Sequence, residues 1–282
     1  MGTDKQHYYP RTLLKHFANA DNKFYVYIRL ASKNKFGYMR YDKVCAARYT
    51  YEGTSENGGL DVDNKLEDEL SSLEDKLGPI VDNILKTIKI TRCCRPTVDI
   101  NDEEIEFLYK YMIVQFFRTD RGRINFIRAA DINYIPRKYP IDLQEIRDSK
   151  NEILEFNNEF KKEGKLEAIL KIFKKPKSMH FHIVTGNFIT SDNPVIGMND
   201  WKQMYMPISQ DYCLGFQADE YSCSDNIIIN MEKEKNKYLN ESQIETANYF
   251  VISKCKFDSY TKFYIKNRFS DPDWSKKSRH FE

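Results

Sequence analysis

The chain has 282 residues, of which 41% are hydrophobic, and its 44 Lys and Arg against 42 Asp and Glu give a formal net charge of +2. This composition is typical of a folded protein with a sizeable core, and it excludes a disordered chain and a uniformly basic nucleic-acid-binding surface. The apolar runs are much shorter than the ~20 residues of a membrane span, and the first residues lack the apolar segment of a signal peptide. We therefore expect a soluble, cytoplasmic protein with no membrane partner.

The charges are unevenly distributed along the chain. Residues 1–50 contain ten Lys or Arg and three acidic residues, and residues 115–140 contain six Lys or Arg and two acidic residues. Residues 51–85 are the reverse, with ten acidic residues and two lysines. Either the two basic stretches meet and form a local positive face, or the acidic and basic segments pair with each other; the sequence leaves both open.

The N-terminal part predicts a short helix and a β-hairpin. Pro10 suits the first turn of a helix through Phe17. Residues 23–31 and 36–43 are aromatic and β-branched with a turn between them, which is typical of a hairpin. Residues 53–65, rich in Gly, Asn and Asp, predict a flexible loop.

The central part predicts three helical regions. Residues 64–89 carry leucines and isoleucines at steps of three and four, which predicts an amphipathic helix with a kink at Pro79. Residues 102–119 show the same spacing, so we expect these two helices to pack through their apolar stripes. A third helical region follows over residues 145–173, after a proline-containing loop at 136–142.

The C-terminal part predicts short strands. Strand-like runs lie at residues 179–190, 204–208, 212–216 and 226–230, and a helix at 242–247 leads into a strand at 249–253. The order predicts an α+β fold with an N-terminal β-hairpin, a central helical bundle and C-terminal mixed or antiparallel strands. We read a single domain over residues 1–282, helical at about 64–175 and strand-rich at about 179–268.

Cysteines and histidines give no metal site. The six cysteines include no CxxC pair, so we expect no structural zinc and no disulfide between the adjacent Cys93 and Cys94. His180 and His182 have the spacing of two ligands on one strand face, but no third ligand is near, so solvent-facing histidines are expected.

Several polar residues lie where an element begins or where two helices meet. His7 precedes the first helix and is a candidate acid or base, or simply a loop histidine. Glu67 and Glu74 lie seven residues apart, hence on one side of a helix. Gln115 and Arg118 share one face of the next helix near its apolar stripe, so both need partners. Arg118 could pair with Glu74 or bind a phosphate or carboxylate.

The segment SDNP at 191–194 has the composition of a tight turn after a strand. Asp192 at that strand end is a candidate catalytic carboxylate. The chain lacks GxxxxGK[ST], GxGxxG, GxSxG and HExxH, which disfavours a nucleotide triphosphatase, a Rossmann dehydrogenase, an α/β-hydrolase and a zincin.

The order of these motifs resembles a bacterial family of unknown function, DUF4238. The resemblance runs from about His7 to Ser253 and rests on HYxPxxxLxxF, an acidic helix with ExxxxxxE, QxxR at a helix end and a TSDxPV turn. A second tyrosine, Tyr9, stands where the family often has valine. The family pattern falls on His7, Pro10, Glu67, Glu74, Gln115, Arg118, Ser191, Asp192, Pro194 and Asn240.

We expect the polar set to gather into one site, because scattered buried polar groups are stable only when they satisfy one another. The expected catalytic residues are His7, Glu74, Gln115, Arg118 and Asp192, with Arg121, Ser191 and Asn240 binding substrate and no residue assigned to a metal.

A base, carboxylates and an arginine favour a nuclease-like hydrolase of a phosphodiester or related bond, with nucleic acid or nucleotide as partner and Mg²⁺ as candidate cofactor. A bacterial antiviral defence or toxin role is an association only. The alternatives are a nucleotide- or NAD-cleaving hydrolase and a non-catalytic interaction module. Oligomeric state stays open.

Overall fold

Helices and antiparallel strands alternate in blocks along the chain. A computed structural model describes residues 5–29, 34–91, 97–131, 133, 141–221, 226–278 and 280. The helices in this part are α1 Arg11–Leu14, α2 Lys65–Thr91, α3 Asp102–Phe117, α4 Asp120–Ala129, α5 Leu143–Asp148, α6 Lys150–Phe160, α7 Lys165–Ile172, α8 Lys233–Thr246 and α9 Ser259–Ser270. The strands are β1 Lys5–His7, β2 Lys23–Arg29, β3 Asn34–Arg40, β4 Ala46–Arg48, β5 Gly53–Thr54, β6 Leu60–Asp61, β7 Met179–Thr185, β8 Thr190–Ser191, β9 Ile196–Met198, β10 Gln203–Pro207, β11 Tyr212–Ala218, β12 Ile227–Asn230 and β13 Phe250–Ser253.

Two larger sheets organise the strands. One has the order β12-β7-β11-β10-β9 and the other the order β3-β2-β13-β8, while β1-β4 and β5-β6 form small pairs. Neighbouring strands are antiparallel except β12 and β7, which are parallel. The mixed α+β class predicted from the sequence is confirmed.

The predicted packing of the first two long helices is confirmed. Leu66, Leu70 and Leu77 of α2 and Leu108 and Met112 of α3 are buried in one hydrophobic cluster. An amphipathic helix buries its apolar stripe against a neighbour because that removes the stripe from water. The seam between α2 and α3 therefore forms the centre of the larger core.

The four-stranded sheet separates two hydrophobic clusters. Phe24 and Val26 of β2 face the larger cluster, whereas Tyr27 packs with residues of α8 and α9 on the other face. This alternation follows from the two-residue period of a strand.

Two element predictions were wrong in detail. The region 145–173 is helical as predicted and is divided into α5, α6 and α7, whereas the end of the predicted strand-rich part is the helix α9. Asp258 begins α9 by accepting a hydrogen bond from the Thr261 N–H, a local cap that the alternation of aromatic residues concealed. The helix α8 also begins at Lys233, nine residues earlier than predicted, because its first turns are charged and carry no apolar stripe.

The helix α4 was not predicted, and its start is a tight turn. Thr119 has an extended backbone between α3 and α4, and its side chain accepts a hydrogen bond from the Gly122 N–H. Gly122 lies so close to α3 that a Cβ there would come within 1.8 Å of the Phe116 carbonyl oxygen. This turn fixes the direction in which Arg118 leaves the end of α3.

Three predictions fall wholly or mostly outside the described residues: the Cys93–Cys94 pair, the hairpin loop after Arg29 and the loop at 136–142. The segment 53–65, predicted as a loop, contains the short pair β5–β6, whose turn includes Gly58 with a φ of 76°. No helix in the described part of the chain combines the length and the apolarity needed to cross a membrane.

Gly122→Ala should destabilise the protein by about 1–3 kcal/mol or more, because the added methyl group meets backbone that cannot move without opening the α3–α4 turn. Urea unfolding measures this. Gly37→Ala is the matched control, since a Cβ there meets nothing within 4 Å, and its effect should stay near zero. Equal effects of the two substitutions would contradict the packing of the turn.

Candidate functional site

A buried arginine joins α2, α3 and β1. Arg118 follows the last turn of α3 and is 2% exposed. Its Nη2 lies 2.6 Å from Glu74 Oε1 on α2 and donates to the His7 carbonyl oxygen at 2.6 Å. Its Nε donates to the Tyr51 hydroxyl at 3.1 Å. The predicted contact between Arg118 and a carboxylate is therefore present, and the carboxylate is that of Glu74.

Tyr51 lies between two guanidinium groups. The Cζ atoms of Arg118 and Arg123 are 5.7 Å and 5.4 Å from the centre of its ring. Arg123 is itself buried, donating to the Thr50 carbonyl and pairing with Asp120 at 2.5 Å. Burial raises the pKa of Tyr51 to about 12, so its phenol stays neutral and accepts the Arg118 hydrogen bond.

Three polar atoms around Arg118 are buried without a hydrogen-bond partner: Arg118 Nη1, Glu67 Oε2 and His7 Nε2. Buried polar groups in folded proteins are nearly always satisfied, and isolated exceptions call for an explanation. Here the exceptions are grouped, since the charge of Arg118 acts on the pKa of both Glu67 and His7. The charge of Arg118 therefore reaches both of the other residues that have an unpaired buried atom. A cavity of about 20 Å³ beside Arg118 has room for about one water molecule.

The two titratable groups of this cluster are shifted in opposite directions. Burial, helped by the charge of Glu74 and opposed by Arg118, raises the pKa of Glu67 to about 7. Burial and the nearby charges of Arg11 and Lys5 lower the pKa of His7 to about 4, against a hydrogen bond with the Asp42 backbone. At neutral pH the imidazole is therefore neutral while Glu67 is about half protonated. Such a separation is the pattern of an acid and a base with distinct roles.

Gln115, which was predicted to be catalytic, lies beside this cluster and is bound by other groups of the protein. The side chain is fully buried, its amide donates to the Tyr8 carbonyl oxygen at 2.8 Å, and its Oε1 accepts from the Tyr111 hydroxyl at 3.1 Å. Both ends of the amide are occupied by the protein itself. Gln115 therefore links the residue that follows β1 to α3.

The carboxyl group of Asp192, which was predicted to be catalytic, is bound by backbone N–H groups. Asp192 is 2% exposed, and its oxygens accept hydrogen bonds from the backbone N–H groups of Asn248, Tyr249 and Phe250. Burial outweighs these bonds and raises the pKa of Asp192 to about 7. The carboxyl group holds the junction between α8 and β13, a role that requires partners 56 to 58 residues away.

The three predicted substrate-binding residues lie elsewhere. Ser191 is buried and donates to Gln243 Oε1 at 2.9 Å, while Asn240 donates to the Asn187 carbonyl oxygen and accepts from the Ile189 N–H. Both side chains fix the loop between β7 and β8 and its continuation, and their role in binding substrate stays a prediction. Arg121 lines a separate cavity of about 310 Å³ between α4, β9, α8 and the C-terminal segment.

The sequence interpretation gave no role to four residues of the site. Glu67 was named for its position seven residues before Glu74, which places both on one side of α2, and for the family pattern, but it was not among the expected site residues. Tyr51 carries no sequence signal, because it follows a short strand and contacts Arg118 67 residues away. Lys5 and Arg11 were counted only as part of a basic stretch.

Within the described residues no three His, Cys, Asp or Glu side chains are grouped as metal ligands. His182 was expected to face solvent but is fully buried, with its Nε2 3.0 Å from the Gln217 amide nitrogen. A buried position follows from its strand, which lies inside the five-stranded sheet. Cys45 and Cys213 are buried free thiols and Cys255 is an exposed one.

Comparison with known proteins identifies the family. The sequence profile of the family described as "Protein of unknown function (DUF4238)" matches residues 5–257, so the chain belongs to this family. No curated protein and no solved structure shows a significant match to it.

Asp192→Ala should reduce the free energy of unfolding by about 1–3 kcal/mol or more, because it leaves buried backbone donors without an acceptor. The catalytic constant of any activity per folded molecule should change little. Asp21→Ala, at an exposed position, serves as control and should leave stability within about 0.5 kcal/mol. Thermal and urea unfolding provide the measurement, and an undiminished stability of Asp192→Ala would contradict its structural role.

Proposed function

We propose that this member of the DUF4238 family is a nuclease-like hydrolase of a phosphodiester or related bond, with the reaction centred on His7, Glu67, Glu74 and Arg118. The observation that carries the proposal is the group of three buried, unpartnered polar atoms, one each on His7, Glu67 and Arg118. A ligand that satisfies all three must offer an acceptor to Arg118 and exchange protons with the other two. A phosphate ester and an attacking water together have these groups.

Arg118 is suited to hold a phosphoryl oxygen. Glu74, the His7 carbonyl and the Tyr51 hydroxyl fix its guanidinium, and Nη1 remains as a donor. A donor held rigidly in a site of low dielectric stabilises the charge that develops on the oxygen without reorganising. Lys5 and Arg11, both exposed, add positive charge beside His7 and would attract an anionic substrate.

His7 is the proposed base and Glu67 the proposed acid. One ring nitrogen of His7 is engaged by the Asp42 backbone, and Nε2 of the neutral ring can accept a proton from water. The water oxygen then bonds to phosphorus, the bond between phosphorus and the leaving oxygen breaks, and Glu67 gives its proton to that oxygen. Proton return from His7 to Glu67 through solvent completes the cycle. A bacterial defence or toxin role would follow from cleavage of nucleic acid and forms part of the same proposal.

The dependence of kcat/KM on pH should be bell-shaped. Activity should fall below about pH 4, where His7 gains a proton, and above about pH 7, where Glu67 loses its proton. Hydrolysis of an oligonucleotide measured across this range tests it. An activity that keeps rising above neutral pH would refute Glu67 as the acid.

Glu67→Gln should separate the roles of acid and base. Cleavage of an oligonucleotide, whose leaving alkoxide needs a proton, should fall about 100-fold or more. Hydrolysis of bis-p-nitrophenyl phosphate should change little, because nitrophenolate leaves without protonation. His7→Asn should lower both activities, because both substrates need an activated water.

Glu69→Gln on the same helix is the matched control and should leave both activities unchanged. Melting curves establish that each variant is folded. Equal activity of wild type and Glu67→Gln on the oligonucleotide would reject the proposed mechanism.

A further inference from the structure

Exposed aromatic rings and lysines share one surface of the protein, formed by β2, β3, α9 and the neighbouring part of α8. Tyr38, Tyr260 and Phe263 are 47%, 45% and 64% exposed, which is unusual for side chains of this size. We call this surface the aromatic–lysine face, defined by Lys23, Tyr25, Tyr38, Lys237, Tyr260, Lys262, Phe263 and Lys266.

The register of β2 and β3 explains why part of the sheet stays open. Tyr25 pairs with Tyr38, and Tyr27 pairs with Phe36. The two pairs are two residues apart on each strand and therefore lie on the same side of the sheet. The helix α9 covers the second pair, with Phe269 stacked on Tyr27 at 5.0 Å between ring centres. In the first pair Tyr25 is half-buried against Phe257, whereas Tyr38, whose ring lies 5.2 Å from that of Tyr25, remains exposed.

Lysines are interleaved with the rings. Lys262 Nζ lies 6.0 Å from the centre of the Tyr25 ring, and Lys237 Nζ lies 4.3 Å from that of Tyr260. Phe263 and Lys266 are three residues apart on the exposed side of α9 and are therefore neighbours. The face thus carries repeated positive charge, in a chain whose net charge is only +2.

One end of the aromatic–lysine face lies near His7, through Arg40 and Asp42. Arg40 is the cross-strand partner of Lys23 at the open end of the face, and its Nε donates to Asp42 Oδ1 at 3.0 Å. The backbone of Asp42 in turn contacts the His7 imidazole. An extended anionic polymer bound along the face would therefore have one end near His7, with Lys5 and Arg11 beside it.

We infer that the aromatic–lysine face binds single-stranded nucleic acid and directs it to the proposed reaction centre, an inference that rests on the proposed function for its catalytic half. Unpaired bases stack on exposed rings without regard to sequence, and lysines neutralise the intervening phosphates. A duplex hides its base faces and fits this surface poorly. A purely apolar partner would leave the lysines desolvated.

The binding test uses fluorescence anisotropy with fluorescein-labelled oligo(dT) and oligo(U), two arms that distinguish DNA from RNA. Tyr38→Ala and Phe263→Ala should each weaken binding about tenfold. Lys262→Ala with Lys266→Ala should reduce the slope of log affinity against log salt by about 0.7 for each phosphate that the protein no longer neutralises. The double variant Lys171→Ala, Ile172→Ala changes an exposed lysine and an exposed isoleucine on α7 and should bind like wild type.

A second set of variants protects the test against misfolding. Lys262→Glu with Lys266→Glu leaves every ring in place and should abolish binding in low salt. Wild-type affinity of these variants and of Tyr38→Ala would overturn the inference. So would Phe263-dependent dimerisation in analytical ultracentrifugation without oligonucleotide binding, because the face would then join two copies of the chain.

The two proposals fail separately. If the face variants hydrolyse bis-p-nitrophenyl phosphate like wild type but show a raised KM for oligonucleotides, both stand. If no phosphodiester is hydrolysed while oligonucleotide binding depends on the face as described, the binding inference stands and the proposed function falls. If hydrolysis occurs and the face variants keep the KM of wild type for oligonucleotides, only the binding inference falls.

Discussion

The burial of Arg118 is the constraint on which the site depends. A guanidinium withdrawn from water is stable only when its charge and its hydrogen bonds are compensated. Here Glu74 from α2, the His7 carbonyl from β1 and the Tyr51 hydroxyl supply that compensation. Three segments that are far apart in the sequence must therefore meet at one point. The apolar seam between α2 and α3 brings them near, and Arg118 fixes their final positions.

The same arginine gives different properties to two glutamates of one helix. Glu74 makes the ion pair, whereas Glu67, one heptad earlier, is buried without a bonded partner for Oε2. Burial then raises the pKa of Glu67, and the negative charge of Glu74 adds to the effect. A guanidinium has five N–H donors, and Nη1 remains without a partner after the structural bonds are made. The atoms of Arg118 that make the structural contacts, Nε and Nη2, are therefore different from Nη1, the atom proposed to bind the substrate.

The sequence predicted what depends on local periodicity and missed what depends on distant partners. The stripes of α2 and α3 followed from spacing, and spacing made Glu74 one of the partners that Arg118 could have. The hydrogen bonds of Asp192 did not follow, because their backbone donors lie at residues 248–250. Gln115 was placed correctly on the buried side, but its partners, the Tyr8 carbonyl and the Tyr111 hydroxyl, leave no sequence pattern. The start of α4 depends on the Thr119 cap and the close approach of Gly122, which only the backbone path reveals.

The uneven charge of the chain has two outcomes that the sequence left as alternatives. The acidic segment does pair with basic ones, as Glu74 does with Arg118 in the interior and Asp82 with Lys15 at the surface. Lys5 and Arg11, by contrast, have no ion-pair partner in the part of the chain that the structure describes, and both charges act on His7. A buried pair neutralises itself, so the field outside the protein comes from the cations left over. A net charge near zero is therefore compatible with local positive charge beside His7, because Lys5 and Arg11 lie close to it while Glu74 is paired with Arg118.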